Sequence, residues 1–425
     1  MIAMNSALEA SEVAPMPGRP TKRGRKVVFV TDQVPYPLSN GGVIAIDSMV
    51  RAIAADNQVT VVVLSKAHCL DSEVKAAADY YGSICASFIY HQSDDLVPSQ
   101  SLFIKAWHYI SGYPRHGFWS QAAEDLLRNV IERTNADVLW CSSTFNAKYL
   151  ALGRRMKKKT VLATFNVESE IIAQQAEQSA GIRRWRYRLR TFDWRRLEKL
   201  GSRSADVVTA ITDVDAAHYA RMKDKSRVFV LPFGYAAGGV ALTNREQEEP
   251  STIAFIGTMI WPPNVAAAHF LVREVMPLVW NAIPEARCIV VGSNPPESVT
   301  ALASSQVTVT GYVPSIDEYY DRATVITVPV QDISGIKIKL IEALARGKAV
   351  VSTAAGTAGL TVAHGNQLMI ADSASQFADA IVTLLRDKSE RERLGSTGRK
   401  FVLADLSLDQ TQQRVEEILD YLQSR

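Results

Sequence analysis

Cysteine is scarce in this chain and does not cluster. Cys69, Cys85, Cys141 and Cys288 are widely scattered, with no CxxC and no paired histidine spacing. That excludes a disulfide framework or a Cys/His metal site and fits a reducing compartment. No apolar run approaches the roughly 18 residues needed to cross a bilayer, so the chain reads as non-integral. No GxGxxG follows the first expected strand, which leaves a dinucleotide cofactor unsupported. Net charge is only +3, too small by itself to point to nucleic acid. Residues 1 to 26 lack an apolar h-region and mix Pro15, Pro17, Gly18 and Pro20 with Arg19, Lys22, Arg23, Arg25 and Lys26. They read as a disordered basic tail rather than a secretion signal.

What is present suits an ordinary globular protein: 425 residues, 47% hydrophobic and 21% charged, enough for two domains, each with its own core. Strands expected near 27–31, 58–64, 86–91, 137–141, 159–164, 206–211 and 227–231 alternate with helical patterns, beginning with a helix over about 43–55. Repeated strand and helix units imply a parallel, doubly wound α/β sheet. Hydrophobic periodicity stops over 236–250, AAGGVALTNREQEEP, which reads as a linker. A second alternating series follows, with strands at 252–256, 287–291, 307–310 and 324–328 and helices at 264–281, 297–303 and 315–321. Helices are also expected at 373–387, 388–404 and 408–422. The expected organisation is therefore a tail (1–26), a first domain (27–235), the linker, a second domain (251–405) and a terminal helix (406–425).

The most informative stretch is 324–353, TVITVPVQDISGIKIKLIEALARGKAVVST. A β-branched run leads through a loop into a helix expected over Ile336–Arg346, with Gly347 placed to end it and a strand at 349–353. The first turn of such a helix carries unpaired N–H groups and a positive dipole, and Gly335 lets a ligand approach the main chain, so an anion site is expected there. Lys339 and Glu342, three apart, share a face, which suits a phosphate at the ammonium and a sugar hydroxyl at the carboxylate. The plain alternative is a solvated ion pair between them. Lys337 lies roughly 200° around a regular helix from Lys339, so both serve one ligand only if the first turn is irregular.

Residues 335–348, GIKIKLIEALARGK, followed by Val350, Val351, Thr353, Gly356, Gly359 and Leu360, resemble the donor-binding signature of family-four glycosyltransferases, which are retaining enzymes of the GT-B fold. The resemblance implies two Rossmann-like domains facing a cleft, with the terminal helix returning to the first. It implies that Lys339 holds the donor diphosphate and Glu342 the nucleotide ribose. Where many members carry a further glutamate, this chain has Ser334.

Other stretches take their meaning beside it. Asn40, Gly41 and Gly42 form an N–H-rich turn at a helix start; the alternative is a plain turn. The turn resembles the family's glycine-rich first loop, which faces the donor across the cleft. Residues 164–168, TFNVE, resemble its His-Asn-Val-Glu element with Phe165 in the histidine's place, making Asn166 and Glu168 candidates for acceptor or sugar contact; Asn166 as an ordinary helix cap is the alternative. Gly257, Thr258 and Met259, with Pro262, Pro263 and Asn264, resemble the loop that covers the diphosphate, without its usual arginine; Lys337 is the candidate replacement. Gly311 and Tyr312 fall where the family borders the nucleobase. Asp332, just before Ser334, Gly335 and Ile336, is placed to reach sugar hydroxyls.

By resemblance, catalysis would stabilise the departing diphosphate through the helix start at Gly335, Lys339 and Lys337, without metal or cofactor; the nucleotide sugar is a substrate. Same-face attack, with the leaving phosphate taking the acceptor proton, is the family's usual account of retention. Residues 183–203 contain nine Arg or Lys against Asp193 and Glu198, and Ile182, Trp185, Leu189 and Phe192 fall at helical spacing. This is either a helix whose apolar stripe packs on the sheet or an amphipathic face for an anionic membrane; no nucleic-acid reader motif accompanies it. The expected function is sugar transfer to a lipid-linked or polysaccharide acceptor in bacterial cell-surface glycan synthesis, in the cytoplasm at the inner face of the plasma membrane. A sugar-nucleotide epimerase and a non-catalytic nucleotide-sugar-binding partner or sensor are the alternatives.

Overall fold

The computed structural model describes residues 11–13, 24–38, 41–65, 69–92, 119–177, 179–235, 240–332 and 335–425. The chain divides into two compact units, Met1–Gly234 with Leu408–Arg425, and Tyr235–Ser407.

The first unit is built on eight strands: β1 (Ser11–Val13), β2 (Lys26–Thr31), β3 (Gln58–Ser65), β4 (Ser87–Gln92), β5 (Val138–Ser142), β6 (Lys159–Thr164), β7 (Val207–Ala210) and β8 (Val228–Val230). They lie in the order β1-β4-β3-β2-β5-β6-β7-β8, with every neighbouring pair parallel except β1 and β4. Successive residues point to opposite faces, so a strand covered on both sides must be apolar throughout. In β2, Val28 and Val30 enter one core while Val27 and Phe29 enter the other. The helices are α1 (Gly41–Ala54), α2 (Asp71–Gly82), α3 (Gln121–Thr134), α4 (Leu150–Arg155), α5 (Glu168–Glu177), α6 (Gly181–Ser204) and α7 (Asp213–Ala220).

The terminal helix Leu408–Gln423 belongs to this unit, where Val415, Ile418, Leu419 and Leu422 join Ile46, Met49, Val50 and Ile53 of α1 in one core. Each such side chain contributes about 1.5–3 kcal/mol by leaving water. Two parts of the expected basic tail are corrected by this frame. Ser11–Val13 add an antiparallel strand to β4. Arg25 is buried, its guanidinium paired with Glu416 at 2.7 Å and with Asp420, because a charge taken out of water at the start of a central strand needs carboxylates to replace its hydration. Residues 1–10 and 14–23 lie outside the described residues.

The second unit holds β9 (Thr252–Ile256), β10 (Arg287–Val291), β11 (Val307–Val309), β12 (Val325–Val328), β13 (Val350–Ser352) and β14 (Met369–Ile370), all paired parallel in the order β11-β10-β9-β12-β13-β14. Its helices are α8 (Pro262–Phe270), α9 (Met276–Ala282), α10 (Glu297–Thr300), α11 (Asp317–Arg322), α12 (Ile338–Ala345), α13 (Ala374–Arg386) and α14 (Lys388–Asp405). The helix expected over 264–281 is interrupted by a π turn at Leu271–Val275. Pro277 lies two residues past the end of that turn; it has no N–H to donate and its ring crowds the carbonyl four residues back, inside the turn, and a widened turn relieves both. Residues of the stretch read as a linker pack on this unit: the Thr243 N–H donates to the Arg346 carbonyl at 3.2 Å and the Asn244 N–H to Asp321 at 2.9 Å. Residues 236–239 lie outside the described residues.

Helix α12 is fixed at its far end by backbone contact. Gly347 adopts φ +73°, as a C′ glycine should, and a Cβ on Gly395 of α14 would lie 2.1 Å from its carbonyl oxygen. One turn on, a Cβ on Gly398 would lie 2.6 Å from Leu344.

Candidate functional site

In the second unit the site forms where β9 and β12, neighbours in the sheet, release their chains at their C-terminal ends, the usual ligand edge of an open α/β sheet. After Ile256 the chain continues against β10: the Gly257 N–H donates to the Val291 carbonyl at 2.9 Å and the Met259 N–H to the Ser293 carbonyl at 3.0 Å. The approach is so close that a Cβ on Gly292 would sit 1.9 Å from the Gly257 oxygen. Asn264, buried at the start of α8, donates through Nδ2 to the Thr258 carbonyl at 2.8 Å, which shapes the loop.

From the neighbouring strand, β12, the chain reaches Gly335, which turns at φ +61°, and Lys337, which is extended at φ −84°, ψ 96°. Helix α12 thus begins at Ile338, two residues later than expected, and Lys337 lies outside it. That irregular start lets the two lysines approach one another closely enough for Lys337 to disfavour the charge on Lys339. The Lys337 side chain does not cap the helix start, and the first N–H groups of a helix have no partner within it.

Lys339 reaches back under the β9 loop. Its Nζ donates to Asn264 Oδ1 at 2.5 Å and lies 4.9 Å from the centre of the Phe255 ring. Gly257 leaves the space: a Cβ there would meet Nζ at 2.7 Å. Burial first, and then Lys337, lowers the Lys339 ammonium from 10.5 to about 7. Lys337 is also lowered by burial, with Asp332 opposing; its Nζ donates to the Gly335 carbonyl at 3.1 Å. An ammonium poised this way gains most from an arriving anion, which would replace the hydration it has lost.

Glu342, one turn further, does not pair with Lys339. Its Oε1 accepts from Arg346 at 3.2 Å, while Arg346 also binds Asp317 at 2.5 Å and stacks 4.6 Å over Tyr320. Burial raises the Glu342 carboxyl and Arg346 opposes the rise. Gly311, at φ +71°, and Tyr312, 77% exposed, follow β11, two strands from β9 in the sheet, or about 10 Å across. Ser334 lies outside the described residues. The described contacts therefore gather Gly257, Thr258, Lys339 and Asn264 at one point, with Asp332, Gly335 and Lys337 beside it. From sequence Asn264 entered only as part of the loop's resemblance; its contact with Lys339 was not foreseen, although its place two residues after Pro262 put it in the first turn of a helix facing the loop.

The first unit carries a separate polar cluster at the C-terminal ends of its own strands. Glu168 opens α5, and burial raises its carboxyl to about 7; the Asn166 side chain lowers it, while Glu198 and Asp32 raise it further. Asn166 therefore serves the Glu168 carboxylate. Gly41 and Gly42 form the first turn of α1, and Asn40 lies outside the described residues. On α6 the stripe Ile182, Trp185, Leu189 and Phe192 is 81%, 62%, 41% and 49% exposed. The reading in which it packs on the sheet is overturned; the buried face of α6 is Thr191, Trp194, Leu197, Glu198, Gly201 and Ser202.

Two parallel-sheet α/β units with these topologies define a GT-B protein. The solved structure of sucrose-phosphate synthase from Thermosynechococcus elongatus is similar at a TM-score of 0.66 with 17% identity, covering 94% of this chain and 99% of that one. HepE of Anabaena in complex with UDP and glucose is similar at 0.62 with 13% identity, covering 93% and 100%. Residues 250–387 match the family model for Glycosyl transferases group 1, and the chain is thus a GT-B protein with a group 1 glycosyltransferase domain. A GDP-mannose-dependent α-(1-6)-phosphatidylinositol monomannoside mannosyltransferase of Mycobacterium tuberculosis is 28% identical over 160 residues, 34% of this chain and 42% of that protein. The chain spans about two fifths of the length of the curated relatives it matches.

Proposed function

We propose that the protein is a metal-independent, retaining glycosyltransferase that moves a sugar from a nucleotide-sugar donor to an acceptor hydroxyl of a lipid-linked or polysaccharide acceptor in bacterial cell-surface glycan synthesis. The observation that carries the reading is Lys339, whose charge is held partly desolvated between Asn264, Phe255 and Gly257 at the start of α12.

A donor diphosphate at that point meets the α12 N–H groups, Lys339 and the extended Lys337, with Gly335 and Ile336 giving close backbone approach and Gly257 and Thr258 closing over it. As the glycosidic bond to the diphosphate breaks, negative charge grows on the leaving oxygen. Positive groups already in place stabilise that charge without reorganising. Glu342 accepts from ribose hydroxyls, Asp332 from the sugar, and Gly311 and Tyr312 flank the base. In the first unit, Gly41 and Gly42 offer backbone N–H groups to a phosphate or sugar oxygen. Glu168, with a carboxyl near 7, meets the acceptor, while the leaving phosphate takes the acceptor proton in a same-face attack.

A lipid-linked acceptor is favoured by the exposed Trp185 and Phe192 among the arginines of α6. Apolar rings with a basic surround suit an anionic bilayer, and this supports the reading of a protein that works at the inner face of the plasma membrane.

The test is a thermal-shift screen of UDP, GDP and ADP sugars against wild type and Lys339→Ala, followed by transfer assays with and without EDTA. One nucleotide should stabilise wild type by about 2.7 kcal/mol at 100 times its dissociation constant and leave the variant unmoved, and transfer should survive the chelator. Binding without transfer to any acceptor would favour the sensor reading, and turnover of donor to an isomer the epimerase. No shift with any nucleotide sinks the site.

A further inference from the structure

The polar cluster behind Glu168 has a geometry that sugar transfer alone does not explain. Glu198 is fully buried in the inner face of α6, and a buried carboxylate persists only where donors replace its water. It has three. The Ser169 N–H donates to Oε1 at 2.9 Å, the Ser169 hydroxyl to Oε2 at 2.7 Å, and His218 Nε2 lies 3.2 Å from Oε2. The Ser169 N–H belongs to the peptide unit whose carbonyl is that of Glu168, so this bond fixes the backbone from which the Glu168 side chain departs. It is also one of the first-turn N–H groups of α5 that have no partner within the helix. His218, on α7, makes a second bond through Nδ1 to Glu170 at 3.0 Å and stands edge-on to the buried Tyr219 ring at 5.3 Å. Three elements, α5, α6 and α7, thus converge on one carboxylate.

We propose that Glu198 and His218 are a buried positioning pair for Glu168, fixing the backbone and hence the orientation of its carboxylate. This rests on the reading of Glu168 as the acceptor-side group. Glu198 acts on Glu168 in two ways: through the shared peptide, and through its own charge, which disfavours a second carboxylate nearby. The groups acting on Glu168 are Asn166 in the preceding loop, Glu198 on α6 and Asp32 at the end of β2. Those facing His218 are Glu198 and Glu170, with Asp215 on its own helix in electrostatic contact. His218 is held above its ordinary value: burial opposes the charge, and the two glutamates outweigh it. It therefore keeps its charge to a higher pH than a free imidazole does.

The test is pH-difference infrared spectroscopy on the full chain, following the protonated carboxyl band that Glu168→Gln removes. The wild-type band should titrate near neutrality, and in Glu198→Gln, which keeps the size and the oxygen acceptor but not the charge, its midpoint should fall by about one pH unit or more. In His218→Gln, release of UDP from UDP-glucose or GDP from GDP-mannose should lose about 10- to 100-fold in kcat with donor KM unchanged. A midpoint unmoved in Glu198→Gln, a KM change without a kcat change in His218→Gln, or the absence of any band assignable to Glu168 would overturn the pairing. The donor-induced thermal shift of the full chain, run on the same variants, reports separately on the sugar-transfer reading.

Discussion

Replacing Lys339 by methionine should make the unliganded protein more stable and unable to bind its donor, two effects that a merely structural lysine could not produce together. Folding lowers this ammonium from 10.5 to about 7; since the folded value is the lower one, burial costs stability wherever both states are charged. That cost is fully present below about pH 7, shrinks as pH rises, and is gone near 10.5. The full displacement corresponds to about 5 kcal/mol as an upper bound. The side chain keeps some contact with solvent and can swing towards water, so about 1–2 kcal/mol is the reasonable expectation. For a unit of this size that raises the unfolding midpoint by about 2–8 °C. Methionine preserves the length and apolar stem while losing the charge. The assay is thermal unfolding of wild type and Lys339→Met at pH 6 and pH 10, with and without the nucleotide sugar that shifts wild type. The expected pattern is a gain for the variant at pH 6, little gain at pH 10, and no donor shift at either. A variant less stable than wild type at pH 6, or one that keeps the donor shift, would refute the view of Lys339 as a charge stored for an anion.

Donor affinity should weaken as pH rises above about 7, because the ammonium must be charged to meet the diphosphate; Lys339→Arg should flatten that slope, as isothermal titration with a nucleotide sugar would show. Gly257→Ala places a methyl group 2.7 Å from Nζ and should cost about tenfold in donor affinity, or about 1.4 kcal/mol, while changing apo stability far less than Gly292→Ala, whose Cβ would meet backbone. Asn264→Ala removes the acceptor for Lys339 and the donor to Thr258; urea denaturation should register a loss of about 1–2 kcal/mol. Vesicles rich in phosphatidylserine should sediment the wild-type protein at low salt, and Trp185→Glu with Phe192→Glu should abolish this; equal sedimentation of the variant would remove the membrane from the account.

The alternation of apolar runs was readable because both units bury their strands on two faces, which demands uninterrupted β-branched and aromatic residues such as Val27 to Val30. The helix at 335–348 was also visible, but its true start was not. Ile336 and Lys337 are good helix formers and nothing local forbids the turn; the extended Lys337 follows from Gly335 and from contacts with Asp332 and the Gly335 carbonyl. Pro277 was the overlooked sign of the π turn. In α6 the pattern contained two stripes, and the conspicuous one, Ile182 to Phe192, is the exposed one. The buried stripe runs through Thr191, Trp194 and Glu198, and a glutamate among nine cations gives no hint that it points inward. Partners such as Ser169 and His218 lie 29 and 20 residues from Glu198 along the chain, beyond the reach of any local spacing rule.

The glycines at the far end of α12 bear on how this element could be moved between proteins. Gly395 lets α14 touch the main chain of Gly347 at the end of α12, and Gly398 admits the Leu344 side chain of α12, so the position of Lys339 is set by a helix some fifty residues later in sequence. A donor-binding segment cut at 324–353 and grafted into another scaffold would carry its lysine and glutamate but not the brace that aims them. The portable unit is the pair α12 and α14 together, and any exchange of donor specificity that swaps only the first should return a helix that folds yet drifts.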